Sequence, residues 1–280
     1  CTIEQGIEPH KVKVVPEAVD GSIFKPNNKS TLPEYKDNRF KFILFGRWDY
    51  RKSTKEIIES FLQEFNENEP VDLIVSIDNP YAKDEFKSTE NRLKNYKIKH
   101  FPTRKEYIKY LQKGHVFLSC ARSEGWNLPL IEAMACGTPS IYSNCSAQLE
   151  FADGLGLPVN ILSTSKAKKG EYSSFSQEML EGEFYDPDYN HLKEVMRDAF
   201  KNYKNHKKQA LKESKIIRKK FTWDKAAKIA GQEIENLLNN LPKNKVEISF
   251  NLGPKVEILG YYKDKYFIEF INGSTGQVIH

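Results

Sequence analysis

Hydrophobic runs of strand length alternate along the chain with segments whose apolar residues recur at helical spacing. Ile57, Ile58, Phe61, Leu62 and Phe65 form one such helical stripe. Runs of strand length lie at residues 40–45, 71–77, 115–120, 139–142 and 154–162. Strands that alternate with helices are typical of an α/β domain, so we predict this class for residues 37–241.

Further elements follow from the same patterns. We expect a mostly polar helix over 81–96, a short strand over 98–101 and a helix that begins near residue 102. The last helices carry the apolar stripes Leu192, Val195, Met196, Ala199 and then Trp223, Ala227, Ala230, Ile234, Leu237, Leu238. The polar stretch 163–188 is longer than an ordinary α/β connection, and we interpret it as an insertion or mobile loop.

The two ends of the chain have patterns of their own. Residues 11–26 predict a strand that runs into a turn-rich connection. Residues 239–244 predict a linker, because they are polar and contain Pro242. Beyond it, 246–250, 255–259 and 266–271 alternate like strands with one exposed face, which predicts a small β-rich appendage over 246–280.

The centre of the chain predicts a helix with a binding site at its start. Pro129 suits the first helical turn, and Gly137 followed by Pro139 is a stop signal, so the helix should span 129–136. Its free N–H groups would face residues 125–128, a place that favours an anion such as phosphate.

Two glutamates flank this predicted anion site. Glu132 lies eight positions after Glu124, which allows up to ~12 Å between them at the rise of a helix. Glycosidase pairs stand roughly 5 to 9.5 Å apart. We therefore expect these carboxylates to bind hydroxyls at the two ends of an elongated ligand such as a nucleotide sugar; the alternative is helix capping.

A second predicted helix start carries positive charge. Arg47, Arg51 and Lys52 precede a helix for which Ser53 and Glu56 predict a capping box. Cations at a helix N-terminus are unfavourable unless an anion binds there. The arrangement favours a phosphate ligand over its alternative, a solvated basic loop.

Composition and charge limit the classes of partner and the cellular location that the sequence allows. The net charge of +5 comes largely from a lysine-rich region, residues 193–220, which is either a solvated helical face or a contact with an anionic membrane. Without an interleaved aromatic platform, this region does not indicate nucleic-acid binding. Four cysteines without metal-ligand spacing indicate reduced, buried thiols, and no signal-peptide or membrane-span pattern occurs. We therefore expect a cytoplasmic protein that is either free or peripheral to the inner face of the membrane.

The residues from Ser123 to Pro139 resemble the Glu-x7-Glu signature of retaining GT-B glycosyltransferases, the group 1 family, which has Phe-Gly where Trp126-Asn127 stands here. Residues 11–26 resemble the segment that joins the two domains of these enzymes. The resemblance covers roughly residues 11–238. It implies a Rossmann-like parallel sheet flanked by helices, the C-terminal half of a GT-B fold.

The resemblance also implies roles and domain limits. Residues 1–36 would be the interdomain linker and first strand, residues 37–241 the donor-binding domain, and an N-terminal acceptor domain would be missing from this chain. Arg47 and Lys52 would bind the donor diphosphate, Glu124 the donor sugar and Glu132 the ribose diol. The remaining expected donor-binding residues are Gly46, the backbone of Gly125, Trp126, Asn127 and Leu128, and Thr103 and Arg104 beside the nucleobase.

The implied partners are a nucleotide sugar (UDP-, GDP- or ADP-linked) and a glycan, lipid-linked or protein acceptor. No cofactor or metal is expected. Asp186-Pro-Asp188 matches the metal-binding Asp-x-Asp pattern of GT-A enzymes, but turn and capping chemistry explain it better. Two alternatives stay open: a GT-B nucleotide-sugar epimerase and a non-catalytic fragment that binds a nucleotide sugar.

Overall fold

A computed structural model gives the fold. It describes residues 6–27, 39–77, 96–98, 103–166, 182–240, 261–262 and 265–266. The chain divides into two compact units, Cys1–Ile229 and Ala230–His280. The first unit contains the predicted α/β domain.

A six-stranded parallel sheet forms the centre of the first unit. Its strands are β1 (Phe40–Gly46), β2 (Val71–Ile77), β3 (Tyr96–Ile98), β4 (Val116–Ser119), β5 (Ser140–Ser143) and β6 (Leu157–Val159), in the order β3-β2-β1-β4-β5-β6. Each neighbouring pair is parallel. The expected α/β class and Rossmann-like sheet are confirmed.

Helices cover both faces of this sheet. They are α1 (Thr54–Glu64), α2 (Arg104–Lys113), α3 (Leu128–Ala135), α4 (Leu149–Ala152), α5 (Tyr189–Lys201), α6 (Tyr203–Lys220) and α7 (Trp223–Asn240). Alternate residues of β1 enter two separate cores, because successive strand side chains point to opposite faces. Phe42 packs with α1 and α5, whereas Ile43 packs with α2 and α3.

Helix α3 begins one residue earlier than predicted and ends as its sequence requires. Gly137 has φ +69°, and the amides of Gly137 and Thr138 donate to Met134 O and Ala133 O at 2.9 and 3.1 Å. These two bonds form a Schellman motif, which satisfies the last carbonyl groups of the helix. The helix thereby stops directly before β5.

One predicted element is wrong, and a second is a loop only in part. No strand occurs within residues 6–27, where a short 3-10 helix (Pro9–Lys11) is followed by irregular chain. This leading segment instead joins the domain through a hydrogen bond from Val19 N to Phe221 O at 3.1 Å. The stretch 163–188 is not simply a loop, because its ends lie in an antiparallel hairpin of β7 (Ile161–Lys166) and β8 (Glu183–Pro187).

Other predictions fall outside the described residues. These are the helix over 81–96, apart from its last residue in β3, the residues that follow Ile98 in the strand predicted over 98–101, and the strands over 246–250 and 255–259. In the second unit the structure describes the C-terminal part of α7 and one antiparallel pair, β9 (Tyr261–Tyr262) with β10 (Lys265–Tyr266). The predicted domain limits at 36 and 241 stay predictions.

Two further sequence expectations can be compared with the described part of the chain. Cys120, Cys136 and Cys145 are buried and free, as predicted for reduced thiols. Most lysines of the 193–220 region lie exposed on α5 and α6, as on a solvated helical face. None of the described helices is long and apolar enough to span a bilayer.

Candidate functional site

The loops after β1 and β4 lie side by side because these two strands are neighbours in the sheet. The amide of Arg122 donates to Arg51 O at 2.7 Å and links the two loops directly. The basic residues after β1 therefore reach the loop that leads into α3. Carboxyl ends of neighbouring parallel strands are where α/β sheets bind ligands.

Glu124 is the point at which the two loops meet. Its side chain is 6% exposed and accepts a hydrogen bond at 3.0 Å from Arg51 Nη1 and another from Lys52 Nζ. Its amide donates to Ser146 Oγ at 3.1 Å. Two cations at the start of α1 are thus held against the first residue of the loop before α3.

Helix capping does not explain either glutamate. The N-cap residue of α3 is Asn127, and α3 has no side-chain cap hydrogen bond. The predicted capping box at α1 is also wrong, because Ser53 has φ 51° and makes no cap hydrogen bond. Glu56 instead pairs with Arg122 at 3.2 Å.

In the loop of residues 125–128, Trp126 and Asn127 are buried, whereas Gly125 and Leu128 are exposed. Asn127 has φ 80°, the left-handed conformation that favours glycine, and its buried amide nitrogen donates to Ser119 Oγ and Gln148 Oε1 at 2.9 and 2.7 Å. Trp126 is buried against Phe151. Asn127 therefore takes the backbone conformation open to glycine while its side chain fixes the loop from inside.

Space is open beside both loops. A Cβ atom added to Gly125 or to Gly46 would meet no other atom within 4 Å. The first hydrogen bond of α1 runs from Ile57 N to Ser53 O, and that of α3 runs from Leu130 N to Asn127 O. The backbone N–H groups that come before these bonds do not donate within their helices. The arrangement can receive an anion between two helix N-termini.

A cavity of about 540 Å³ borders α3. Its lining residues are Ala18, Val19, Asp20, Phe24, Thr103, Arg104, Tyr107, Leu128, Glu132 and Trp223. The leading segment, α2, α3 and the first residue of α7 all contribute. Four residues expected at the donor site, Thr103, Arg104, Leu128 and Glu132, therefore share one cavity.

Glu132 is the most buried acidic group of this cavity, with a side chain 14% exposed. It accepts a hydrogen bond from Tyr107 Oη at 2.5 Å, and Arg104 Nη2 lies 3.8 Å from its other oxygen. Burial raises the pKa of Glu132, while the bond from Tyr107 and the charge of Arg104 act to lower it. Thr103 caps α2 by accepting from Glu106 N at 3.3 Å.

A known protein family matches the part of the chain that contains the two loops and α3. The family model described as "Glycosyl transferases group 1" matches residues 24–153, which contain both loops, Glu124 and Glu132. Over these residues the chain is similar to the group 1 glycosyltransferase family.

Individual relatives and solved structures are also similar to this chain. "Probable sucrose-phosphate synthase" of Thermosipho melanesiensis is 26% identical over 228 residues, which are 78% of this chain and 46% of that protein. HepE of Anabaena, solved with UDP and glucose, superposes with a TM-score of 0.65 at 15% identity and covers 85% of this chain. The C-terminal domain of a group 1 glycosyltransferase (LpcC) from Francisella tularensis superposes at 0.53, with 17% identity over 72% of this chain and 97% of that domain.

The chain spans only part of the longer relatives. It covers 46% of the sucrose-phosphate synthase and 59% of HepE. The solved structures share the fold of the first unit.

The structure places the residues expected at the donor site in two groups. Lys52 and Glu124 are in contact, and Glu132 lies in the cavity with Thr103, Arg104 and Leu128. Arg47 is exposed at the start of the β1 loop, and its carbonyl accepts from Thr54 Oγ1 at 2.8 Å. Arg51, rather than Arg47, joins Lys52 at Glu124.

Sequence reasoning missed several lining residues. Arg51 belonged to the basic cluster expected to attract a phosphate but was not named among the donor-binding residues. Tyr107 follows Arg104 by three residues, a spacing that puts both on one side of α2. Asp20, Phe24 and Trp223 reach the cavity from distant parts of the sequence, and their residue types alone gave no signal.

The Asp-x-Asp pattern has structural partners. Asp186 pairs with Arg122 and accepts from Ser163 Oγ at 3.1 Å. Asp188 caps α5 by accepting from Asn190 N and His191 N. No cluster of three His, Cys, Asp or Glu side chains suited to a metal occurs among the residues that the structure describes.

Proposed function

We propose that this chain binds a nucleotide sugar as the donor domain of a retaining group 1 glycosyltransferase. The donor's diphosphate lies between the starts of α1 and α3, and its nucleoside lies in the cavity beside Glu132. The sugar passes to a hydroxyl of a glycan, lipid-linked or protein acceptor.

The meeting of Arg51, Lys52 and Glu124 supports this proposal most. Cations at the start of a helix are stabilised when an anion binds, and in the structure Glu124 fills that role. A diphosphate carries more charge and more acceptor oxygens than one carboxylate. It can therefore take the place beside Lys52 and Arg51 and leave Glu124 for the hydroxyls of the donor sugar.

The cavity supports a nucleoside at the other end of the ligand. Glu132 has one oxygen bonded to Tyr107 and the other toward Arg104, where a hydroxyl of the ribose can donate to it. The separate partners of Glu124 and Glu132 suit a ligand that is held at two ends. HepE, which was solved with UDP and glucose, makes UDP the first nucleotide to test.

Charge stabilisation in this proposal comes from the protein. Lys52, Arg51, Arg47 and the amides of residues 125–128 offset the charge that develops on the departing nucleoside diphosphate. We propose that the reaction needs no metal, and adding EDTA to a transfer assay tests this point.

Nucleotide binding tests the proposed site directly. We expect Lys52→Ala to weaken the affinity for UDP-glucose, or for the GDP or ADP sugar that binds best, by about 10- to 100-fold, as for a lost hydrogen bond to a charged group. Calorimetry measures this change. A thermal-shift screen selects the ligand, since binding at a hundred times the dissociation constant adds about 2.7 kcal/mol.

Lys55→Ala is the matched control, because Lys55 lies one turn further along α1 and pairs with Glu59 at the surface. It should bind like the wild type. The proposal is wrong if no nucleotide sugar or nucleoside diphosphate stabilises the chain, or if both lysine variants bind equally well.

A second candidate is donor binding without turnover. It is favoured because the chain covers 46% of its sucrose-phosphate synthase relative and 59% of HepE. Incubation with a labelled donor and candidate acceptors separates the two: label on an acceptor shows transfer by these residues alone.

A further inference from the structure

The carboxylate of Glu132 is shared between the cavity and a tyrosine. Tyr107 Oη donates to Glu132 Oε2 at 2.5 Å, and Glu132 Oε1 is the oxygen nearer Arg104. We propose that Tyr107 is the positioning residue of Glu132. Its hydrogen bond fixes one carboxylate oxygen of Glu132, so that the other oxygen faces the ribose hydroxyl of the ligand. This inference rests on the proposed function.

Tyr107 is itself held in place by aromatic neighbours. Its ring packs edge-on against Phe24 at 6.4 Å between centroids and tilted against Phe45 at 5.7 Å. Phe24 belongs to the leading segment and Phe45 to β1, so the hydroxyl is fixed from two directions. A carboxylate that is oriented before binding loses less conformational freedom when the ligand arrives.

The direction of this hydrogen bond is fixed while Glu132 is ionised. Burial and the nearby carboxylate raise the pKa of Tyr107 well above its usual range, so its hydroxyl stays protonated and donates. The ionised Glu132 is therefore the acceptor. Its Oε2 is occupied by Tyr107 and its Oε1 can accept one further hydroxyl.

Tyr107 also helps to keep Glu132 ionised. Burial raises the pKa of Glu132, and Tyr107 and Arg104 act against it. The other titratable groups nearby are Asp20 in the leading segment, Cys136 on α3 and Lys207 of α6, which binds Gly137 O at the far end of α3. Loss of the tyrosine hydroxyl should raise the pKa of Glu132 further.

The pH dependence of binding distinguishes this role from simple packing. Glu132 accepts a hydroxyl best when ionised, so affinity is full above its pKa and falls as the pH falls through it. We expect Tyr107→Phe to weaken UDP binding about tenfold at pH 7.5 and to move the acid-side loss of affinity to higher pH. Calorimetry from pH 5 to 8 measures both changes.

Two comparisons keep the test specific. Tyr110→Phe removes a hydroxyl from the next buried tyrosine of α2 and should leave the affinity and its pH profile unchanged. Phe at position 107 retains the ring that packs on Phe24 and Phe45, and its melting temperature is recorded. The loss caused by Tyr107→Phe should be much smaller for a 2′,3′-dideoxy nucleoside diphosphate, which has no ribose hydroxyl to donate.

The possible outcomes separate this inference from the proposed function. If the wild type binds UDP and Tyr107→Phe binds it with the same affinity and pH profile, the role of Tyr107 is wrong while the donor site stands. An equal loss of affinity for the ribose and dideoxy ligands also overturns it. If the wild type binds no nucleoside diphosphate, the proposed function itself fails.

Discussion

At the scale of single residues, the site depends on side chains that combine charge with burial. Glu124 and Glu132 are both largely buried, but only Glu124 is in direct contact with two cations. Glu132 has a neutral tyrosine donor and a more distant guanidinium, and burial raises its pKa. The two carboxylates of the signature therefore differ in their electrostatic surroundings.

This difference predicts an unusual response of Glu132 to mutation. A carboxyl whose pKa is raised on folding contributes stability below its unfolded pKa, near 4.5, and loses that contribution as the pH rises through the folded pKa. Glu132→Gln, which is neutral at every pH, should therefore melt no lower than the wild type at pH 8. The difference between the two proteins should shrink toward pH 4.5.

Melting curves at several pH values check this expectation, with UDP affinity measured in parallel. Affinity should fall in Glu132→Gln although stability does not. A melting temperature several degrees below that of the wild type at pH 8 would show that Glu132 mainly supports the fold.

At the scale of secondary-structure elements, three helix ends near the site have a residue with positive φ. Asn127 and Ser53 take positive φ at the starts of α3 and α1, and Gly137 does so at the end of α3. Gly137 is also crowded, because an added Cβ would lie 2.9 Å from Leu211 Cδ2 and 3.1 Å from Pro26 Cγ. The end of α3 therefore restricts the residue type more strongly than its start does.

Gly137→Ala should destabilise the domain by about 1–2 kcal/mol, because a left-handed residue with a Cβ is strained and must also displace Leu211. Denaturant unfolding measures the loss. Gly231→Ala is the control within α7, where an added Cβ meets nothing within 4 Å. It should instead stabilise by about 0.5–1 kcal/mol through helix propensity, and equal effects of both changes would contradict this account.

At the scale of the whole molecule, distant segments converge on Arg122. Its guanidinium pairs with Glu56 of α1 and Asp186 of β8 and lies 4.0 Å from the centre of the Tyr50 ring. Its amide and carbonyl bond to Arg51 O and Tyr185 N. This one residue connects the β1 loop, the β4 loop and the β7–β8 hairpin around the site.

Replacement of Arg122 should affect both stability and binding. Arg122→Met leaves two carboxylates without their cation and should cost about 3 kcal/mol, the lower part of the range for a broken buried pair, since Glu56 and Asp186 are partly exposed. Because the β1 and β4 loops lose a shared anchor, UDP affinity should also fall. Denaturant unfolding and calorimetry measure the two effects.

Arg197→Met is the matched control for this prediction. Arg197 also pairs with two carboxylates, Glu64 and Glu69, but it joins α5 to α1 away from both loops. It should lower stability and leave UDP affinity unchanged. If Arg122→Met also leaves affinity unchanged, Arg122 does not organise the site.

The sequence alone determined the α/β class, the helix before β5 and the pairing of a basic loop with the Glu-x7-Glu stretch. The class and the helix depend on periodicity and on local start and stop signals such as Pro129 and Gly137, which act over a few residues. The resemblance to the group 1 signature named Lys52, Glu124 and Glu132. Such signals are local, so they can be read from the order of the residues.

Only the tertiary structure decided which side chains meet. Arg51 rather than Arg47 lies against Glu124 because the β1 and β4 loops join at the Arg122 amide. Tyr107 reaches Glu132 because α2 packs beside α3, and the leading segment closes the cavity although no strand forms there. These contacts join residues far apart in the sequence, and no local pattern encodes them.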